Sequence, residues 1–319
     1  MPSRLGFTIP ITPFTIRESC ALAREAENRG YTDAWSAEVN GADGFAAATA
    51  VGVATESLRI GCAIVPIYTR PPALIAMGAA TAQAASDGRF CLGLGASSPV
   101  IVEQWMGSSF ERPVTRMRET LQIVRSALDG EKVSFEGQTA RSRGFRLEAA
   151  PATRVPIFIA ALGPQMRRLA TEETDGIALF LATEQGVRIT RSAAPDLELI
   201  ERIFCFVDQD PDAVRDACRW LFGPYLAVPG YNRFIAEQGF EAEAEAVKQA
   251  WASGDRKAAI GAMSDRLVDA LAISGPVEHC KERIEAFREA GLDTPIVALL
   301  STSMDKDSIK KALFQLAPG

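Results

Sequence analysis

A stretch of four small residues has the chemistry to hold a flat organic ligand. Gly95-Ala96-Ser97-Ser98 follows the apolar run Phe90–Leu94, which we predict to be a strand. Small side chains allow a ring to approach the backbone, and serine hydroxyls can form hydrogen bonds with polar atoms at its edge. Serines after a strand also commonly cap helices, so the stretch alone leaves both roles open.

A second stretch, Ala160-Ala161-Leu162-Gly163-Pro164, has the features of an anion site. The apolar run Val155–Ala160 ends here, and Pro164 is a favoured first residue of a helix. The free amides and the dipole of a helix N-terminus attract phosphate groups, and Arg167 and Arg168 would add positive charge. The alternative is an ordinary strand-to-helix turn whose arginines lie in solvent.

The elements that must position these stretches alternate between strand and helix. Eight runs are predicted as strands: Leu5–Ile11, Asp33–Ser36, Ile60–Pro66, Phe90–Leu94, Val155–Ala160, Gly176–Leu181, Glu201–Val207 and Pro295–Leu300. Helices are predicted at Ile16–Arg29, Gly44–Thr55, Ala73–Ala85, Arg116–Leu128, Gln165–Glu173 and Val277–Ala290. The segment Val133–Arg146 is predicted as a two-stranded excursion.

This order predicts an α/β fold, a (β/α)8 TIM barrel, as a single domain over residues 1–319. Only helical sequence is expected in residues 208–274, which we interpret as a helical insertion between the seventh and eighth strands. In such barrels the ligand lies at the carboxyl ends of the strands. A dinucleotide-binding sheet is disfavoured, because Ser98 stands where a third glycine would follow Gly93 and Gly95.

Composition narrows the class of protein. The 319 residues carry a net charge of -6, which argues against a nucleic-acid partner. The six cysteines are scattered and form no CxxC pair, so neither a disulfide framework nor a metal site is expected. No membrane span and no signal peptide are recognised, and we expect a cytoplasmic protein.

Several motifs resemble the luciferase-like superfamily of (β/α)8 flavin and deazaflavin enzymes, and most closely its branch that uses coenzyme F420, a 5-deazaflavin. The matching segments keep their order: Asp33–Glu38, Arg59–Pro72, Gly88–Gly95, Val155–Pro164, Asp175-Gly176, Ser274–Val277 and Ala290–Pro295. The resemblance implies hydride transfer between C5 of the deazaflavin and a small organic substrate, and it makes a homodimer possible. The alternatives are an FMN-dependent monooxygenase and a deazaflavin-binding protein with little turnover.

The resemblance also implies where the cofactor binds. Deazaflavin members have a non-proline cis peptide behind the ring, and in this chain it would fall at about Ala63-Ile64. The stretch Ala96–Ser98 would lie at the ring edge, Ala161–Pro164 would hold the phosphate, and Glu38 would contact the deazaflavin.

Two proton-handling residues of the family are replaced in this chain. Val39 stands where relatives commonly have a histidine, and Ser98 stands where several have a glutamate. Glu38 or a bound water, helped by Asn40, would then carry the proton. The only histidine, His279, is expected to be a surface or packing residue.

Arginines and aromatic residues near the expected mouth of the barrel are further candidates. Arg70 is expected to help recruit the acidic tail of the cofactor, together with other arginines at Arg112, Arg116 and Arg118. An aromatic wall for an apolar substrate is expected from Trp35, Tyr68, Trp105 and Phe110, although these side chains could equally belong to the core.

Overall fold

The computed structural model describes residues 4–318, and within them the strands follow the predicted order. In chain order they are β1 (Gly6–Ile9), β2 (Asp33–Ser36), β3 (Arg59–Pro66), β4 (Phe90–Gly95), β5 (Val133–Glu136), β6 (Arg141–Phe145), β7 (Ile157–Ala160), β8 (Gly176–Phe180), β9 (Glu198–Val207), β10 (Ala272–Gly275) and β11 (Thr294–Leu299). Residues 1–3 and 319, the ends of the expected domain, lie outside the described range.

Eight of these strands form a closed parallel barrel in the order β1-β2-β3-β4-β7-β8-β9-β11, with β11 pairing back to β1. Most of the strands are buried along nearly their whole length, because helices cover the barrel on the outside. The prediction of a (β/α)8 TIM barrel is confirmed. The antiparallel pair of β5 and β6 confirms the two-stranded excursion.

Thirteen α-helices lie within the described residues: α1 (Ile16–Glu27), α2 (Gly44–Ala54), α3 (Pro72–Ala85), α4 (Pro113–Leu128), α5 (Pro164–Glu173), α6 (Glu184–Ala193), α7 (Pro211–Leu226), α8 (Pro229–Glu237), α9 (Glu241–Ala252), α10 (Arg256–Gly261), α11 (Asp265–Leu271), α12 (Val277–Glu289) and α13 (Lys306–Gln315). A π-helical turn spans Val100–Trp105. Helix α4 begins three residues before its predicted start, because Pro113 takes the first-turn position that suits proline. Among the described helices, none is both long and apolar enough to cross a membrane.

The helical insertion is confirmed as helices α7 to α11, but the expectation of only helical sequence there was wrong at its end. Residues Ala272–Gly275 form β10, which pairs with Phe204–Val207 of β9. Strand β9 extends past the residues that pair with β8, so its last backbone groups need another partner. A four-residue strand following directly on a helix has too little pattern to be recognised in the sequence.

Side chains fill the half of the barrel interior at the amino ends of the strands, so the site must lie in the half at the carboxyl ends. At the amino ends of the strands, Arg59 contacts Asp33 and pairs with Glu198 at 2.6 Å. Above this polar floor lies an apolar layer: Trp35, Cys91, Phe158, Ala178, Ile200 and Ile296. In the barrel interior that residues 4–318 enclose, space for a ligand therefore remains towards the carboxyl ends of the strands.

Candidate functional site

A cavity of about 390 Å³ opens at the carboxyl ends of the barrel strands. Its volume lies within the usual range for sites that bind small organic molecules. The lining is mainly apolar, and eight of the predicted site residues contribute to it: Glu38, Ala63, Ile64, Ala96, Ser97, Ser98, Leu162 and Gly163. The structure thus brings both small-residue stretches and the third strand to one place.

One wall of the cavity is a bulge in β3. The peptide bond between Ala63 and Ile64 is cis, at the predicted position, and the pairing with β4 shifts register between Cys62 and Val65. Strand β4 accommodates the bulge with a glycine, since a Cβ on Gly95 would lie 2.5 Å from Cγ1 of Ile64. The result is a wall in which Ala63 and Ile64 face the cavity. Burial raises the pKa of the neighbouring Cys62 thiol to about 12, so this cysteine is neutral at physiological pH.

The stretch after β4 combines the two roles that its sequence left open. Ser97 has a left-handed backbone, with φ 64°, and lines the cavity together with Ala96 and Ser98. The Ser98 hydroxyl also accepts a hydrogen bond of 3.4 Å from the amide of Ile101 at the start of the π-helical turn. The serine is therefore both a cap and part of the cavity wall.

The loop between β7 and α5 presents a helix N-terminus beside the cavity. Leu162 and Gly163 line it, and no side chain caps the helix at Gly163. Ala161 is buried in the core, and Pro164 is exposed in the first turn. Arg167 pairs with Glu237 at 2.9 Å and Arg168 pairs with Glu172 at 2.8 Å, so the charge of each arginine is already balanced.

Glu38 faces the cavity but is held by three hydrogen bonds. Arg70 donates to its two oxygens at 2.9 and 2.8 Å, and the amide of Gly44 donates to Oε2 at 3.1 Å. Arg70 also contacts Asp43, and it lies outside the cavity lining. Asn40 is exposed on the turn after β2 and is likewise absent from the lining, whereas Val39 contributes to it.

The other arginines at the mouth contact protein groups instead of the cavity. Arg112 contacts Gln138, Arg116 donates to backbone carbonyls, and Arg118 pairs with Glu173 at 2.9 Å. His279 lies on α12 with a partly exposed side chain, as expected of a surface residue.

Of the four aromatic residues expected to form a wall, Trp35 and Phe110 line the cavity. Tyr68 packs on Phe110 with a ring separation of 5.0 Å, and Trp105 is 53% exposed.

The wall on the opposite side of the cavity was not predicted from the sequence. It is built from Arg202 of β9 and from the aromatic side chains of Phe180, Tyr225 and Tyr231, which contact one another at ring separations of 5.1 to 5.9 Å. The available signal was Arg202, which stands at the inward-facing position between Ile200 and Phe204 in a run that is apolar apart from this arginine and Glu201. A charged residue in such a run indicates a functional role or a buried partner.

These features define a (β/α)8-barrel protein with a ligand-sized cavity at the carboxyl ends of its strands. The chain belongs to the luciferase-like monooxygenase family, whose sequence profile matches residues 2–294. This finding confirms the resemblance that the motifs indicated.

The chain is similar to 5,10-methylenetetrahydromethanopterin reductase of Archaeoglobus fulgidus, at 27% identity over 297 residues that cover 88% of this chain and 89% of the relative. It is 26% identical over 317 residues to an F420-dependent glucose-6-phosphate dehydrogenase of Rhodococcus erythropolis, with 91% and 90% of the two chains covered. Its fold is similar to that of the coenzyme F420 dependent tetrahydromethanopterin reductase from Methanopyrus kandleri, with a TM-score of 0.79 at 19% identity over 99% and 97% of the two chains.

Proposed function

We propose that this protein is an F420-dependent oxidoreductase that transfers a hydride between C5 of the deazaflavin and a small organic substrate. The observation that carries the proposal is the convergence of the β3 bulge, the serine stretch and the uncapped N-terminus of α5 on one cavity. Relatives named for F420 support this cofactor, and their different substrates leave the substrate of this chain open.

The described residues fit a ring with a phosphate-bearing side chain. Ala63 and Ile64 offer an apolar wall against which a flat ring can pack, and the open edge beside Ser97 and Ser98 leaves room for polar contacts. A Cβ on Gly163 would meet no atom within 4 Å, so a phosphate has space at the N-terminus of α5. When bound, the deazaflavin supplies the hydride chemistry at C5.

The protein residues then position the reactants and exclude water. Both oxygens of Glu38 are occupied by Arg70 and Gly44, so we propose that Glu38 is a fixed contact for the cofactor and Arg70 its positioning partner. Asn40 would reach the reacting atoms only through a bound water, since it lies outside the lining. With Val39 in place of a histidine, any proton transfer is left to Glu38 or to water at this side of the cavity.

The cofactor is tested by titrating the purified protein separately with F420 and with FMN and following ring fluorescence. We expect saturable binding of F420 and weaker binding of FMN. Tight FMN binding without F420 binding would establish the alternative, a flavin monooxygenase. Turnover is tested by adding enones, imines and alcohols to protein loaded with F420, where a complete lack of redox change would leave only a binding function.

The phosphate contact is tested by Gly163→Asp and its neutral match Gly163→Asn. Aspartate and asparagine are both good helix caps, and a side chain at position 163 would meet no atom within 4 Å of its Cβ, so neither variant should impair folding. The added carboxylate repels a phosphate, and we expect Gly163→Asp to weaken F420 binding about 10-fold more than Gly163→Asn does. Equal affinities of the two variants would show that the phosphate lies elsewhere.

The wider setting of the protein is also a proposal. We propose a single domain over residues 1–319 that acts in the cytoplasm, supported by six cysteines that are all free thiols. We further propose a homodimer, supported by apolar side chains that α2 and α3 expose at Val53, Leu74 and Met77. Light scattering of the purified protein would test the dimer, and a monomeric mass would reject it.

A further inference from the structure

Two polar groups in the cavity wall are buried without a hydrogen-bond partner among residues 4–318. They are Nε of Arg202 on β9 and the hydroxyl of Thr8 on β1. Both residues line the main cavity, and both also line a small recess of about 20 Å³ beside β1 and β11. Buried polar groups in folded proteins almost always have partners, so an unpartnered pair facing one cavity indicates that a polar ligand group binds there.

The charge of Arg202 is also unbalanced. Most arginines of the chain pair with carboxylates or donate to carbonyls, but Arg202 has no acidic partner in the described range. It packs over the ring of Phe204 at 5.1 Å, and burial lowers its pKa. The other charged lining residues are Glu38, which is neutralised by Arg70, and Arg233, a second cation at the rim. This side of the cavity therefore attracts an anion.

The position of Arg202 separates it from the proposed cofactor wall. In the strand order of the closed barrel, β9 lies four strands from β3 in either direction, so Arg202 faces the bulge from the opposite side. Beside it stand Phe180, Tyr225 and Tyr231, whose rings form an apolar surface. A molecule bound there would place an anionic group at Arg202 and an apolar or aromatic body against these rings.

We propose that Arg202 and Thr8 bind the carboxylate of the substrate, which makes the substrate an organic acid with an apolar or aromatic body. The guanidinium donates to the carboxylate oxygens, and the Thr8 hydroxyl donates to an oxygen in the adjoining recess. A recess of 20 Å³ accommodates one water-sized group such as this oxygen. The assignment to substrate rests on the proposed function, because it places the cofactor at the β3 wall.

The test uses benzoate as the probe and benzamide as its neutral match, each titrated calorimetrically into the protein without cofactor. The variants are Arg202→Gln, Arg202→Lys and Thr8→Val, with Arg141→Gln on the exposed hairpin strand β6 as the control for loss of one charge. We expect Arg202→Gln to weaken benzoate binding about 10- to 100-fold, since a hydrogen bond to a charged group is lost. Arg202→Lys and Thr8→Val should weaken benzoate binding less than Arg202→Gln does. The affinity for benzamide should be unchanged in all four variants.

The proposal is overturned if the wild-type protein binds benzoate no better than benzamide, or if Arg202→Gln and Arg141→Gln have equal effects. Should Arg202→Gln fail to fold, the lysine and valine variants decide the question in the same way. F420 affinity is measured in parallel. A loss in Arg202→Gln as large as the loss for benzoate would assign the arginine to the cofactor tail and reject the substrate role. If the wild type binds benzoate through Arg202 but no F420, the proposed function fails while the carboxylate site stands.

Discussion

The fit between the β3 bulge and the glycines of β4 allows a quantitative prediction. In the Gly95→Ala variant, the new methyl group would lie 2.5 Å from Cγ1, 2.7 Å from Cδ1 and 3.0 Å from Cβ of Ile64. Carbon atoms prefer about 3.5 to 4.0 Å, so the Ile64 side chain must move by about 1 Å. It can do so by turning into the cavity, and we expect the free energy of unfolding to fall by about 1 kcal/mol.

Gly93→Ala is the more severe change at the same bulge. Its methyl group would overlap the carbonyl oxygen of Cys62 and approach Cα of Ala63 at 3.1 Å. These are backbone atoms, so no side-chain rotation relieves the overlap, and β3 and β4 must separate. We expect a loss of about 3 kcal/mol, the upper part of the range for overpacking.

Urea unfolding followed by tryptophan fluorescence measures both losses, with Gly41→Ala as the matched control. A Cβ on Gly41 would meet no atom within 4 Å, so this variant should change stability by less than about 0.5 kcal/mol. F420 titration of the folded Gly95→Ala protein should show weaker binding, because Ile64 has moved into the cavity. Equal stability of Gly93→Ala and Gly41→Ala would contradict the predicted backbone overlap at Gly93, and so would a greater loss of stability in Gly95→Ala than in Gly93→Ala.

Further predictions concern the floor of the barrel and the hairpin. Arg59→Met leaves Glu198 without its paired cation and Asp33 paired only with Arg4, and it should lower the free energy of unfolding by about 3 kcal/mol in urea, whereas Arg143→Gln at an exposed pair should cost less than about 1 kcal/mol. Burial raises the pKa of Glu198, but the hydrogen bond and charge of Arg59 lower it more, so its folded pKa lies below the unfolded value. Its stabilising effect is complete above the unfolded pKa of about 4.3 and is lost as pH falls through the folded pKa, so Glu198→Gln should flatten the acid side of a stability–pH curve. Glu119 accepts four hydrogen bonds from the β5–β6 turn, and Glu119→Ala should cost about 2 to 3 kcal/mol and speed proteolysis there; an unchanged cleavage rate would contradict this.

Much of the fold was predictable because its signals are local. Strand β2 has its predicted boundaries, and β3 and β4 differ from prediction by one residue. Apolar runs bounded by turns reflect burial of each strand on both faces, a condition that every strand of a covered barrel meets. The short β10 was not predictable, since it exists only because β9 extends beyond β8 and leaves backbone groups to be paired.

The same distinction between local sequence and tertiary structure holds for the candidate site. The stretches Ala96–Ser98 and Leu162-Gly163 could be named from the sequence, because small residues at strand ends have a conformational meaning wherever they occur. The partners of Glu38 could not be named. The sequence predicts Arg70 as a partner for an acidic ligand, but in the structure Arg70 pairs with Glu38 and Asp43. Side-chain pairing depends on which loops meet at the mouth of the barrel, and local sequence does not specify that.

The sequence by itself determined the class of fold and the small-residue loops, because backbone conformation and burial follow from residues that are near one another in the chain. The position of the β3 bulge was predicted only through the resemblance of the motifs to a known family. Only the tertiary structure determined which polar groups are paired within the protein and which remain available to a ligand. Closure of the barrel joins Arg59 to Glu198 across the floor and brings Thr8 and Arg202 to one recess. Arg59 is thereby neutralised, while Arg202 is left without a carboxylate partner in the described range. The electrostatic character of the cavity is set by this difference between two arginines, and it arises only when distant strands share one interior.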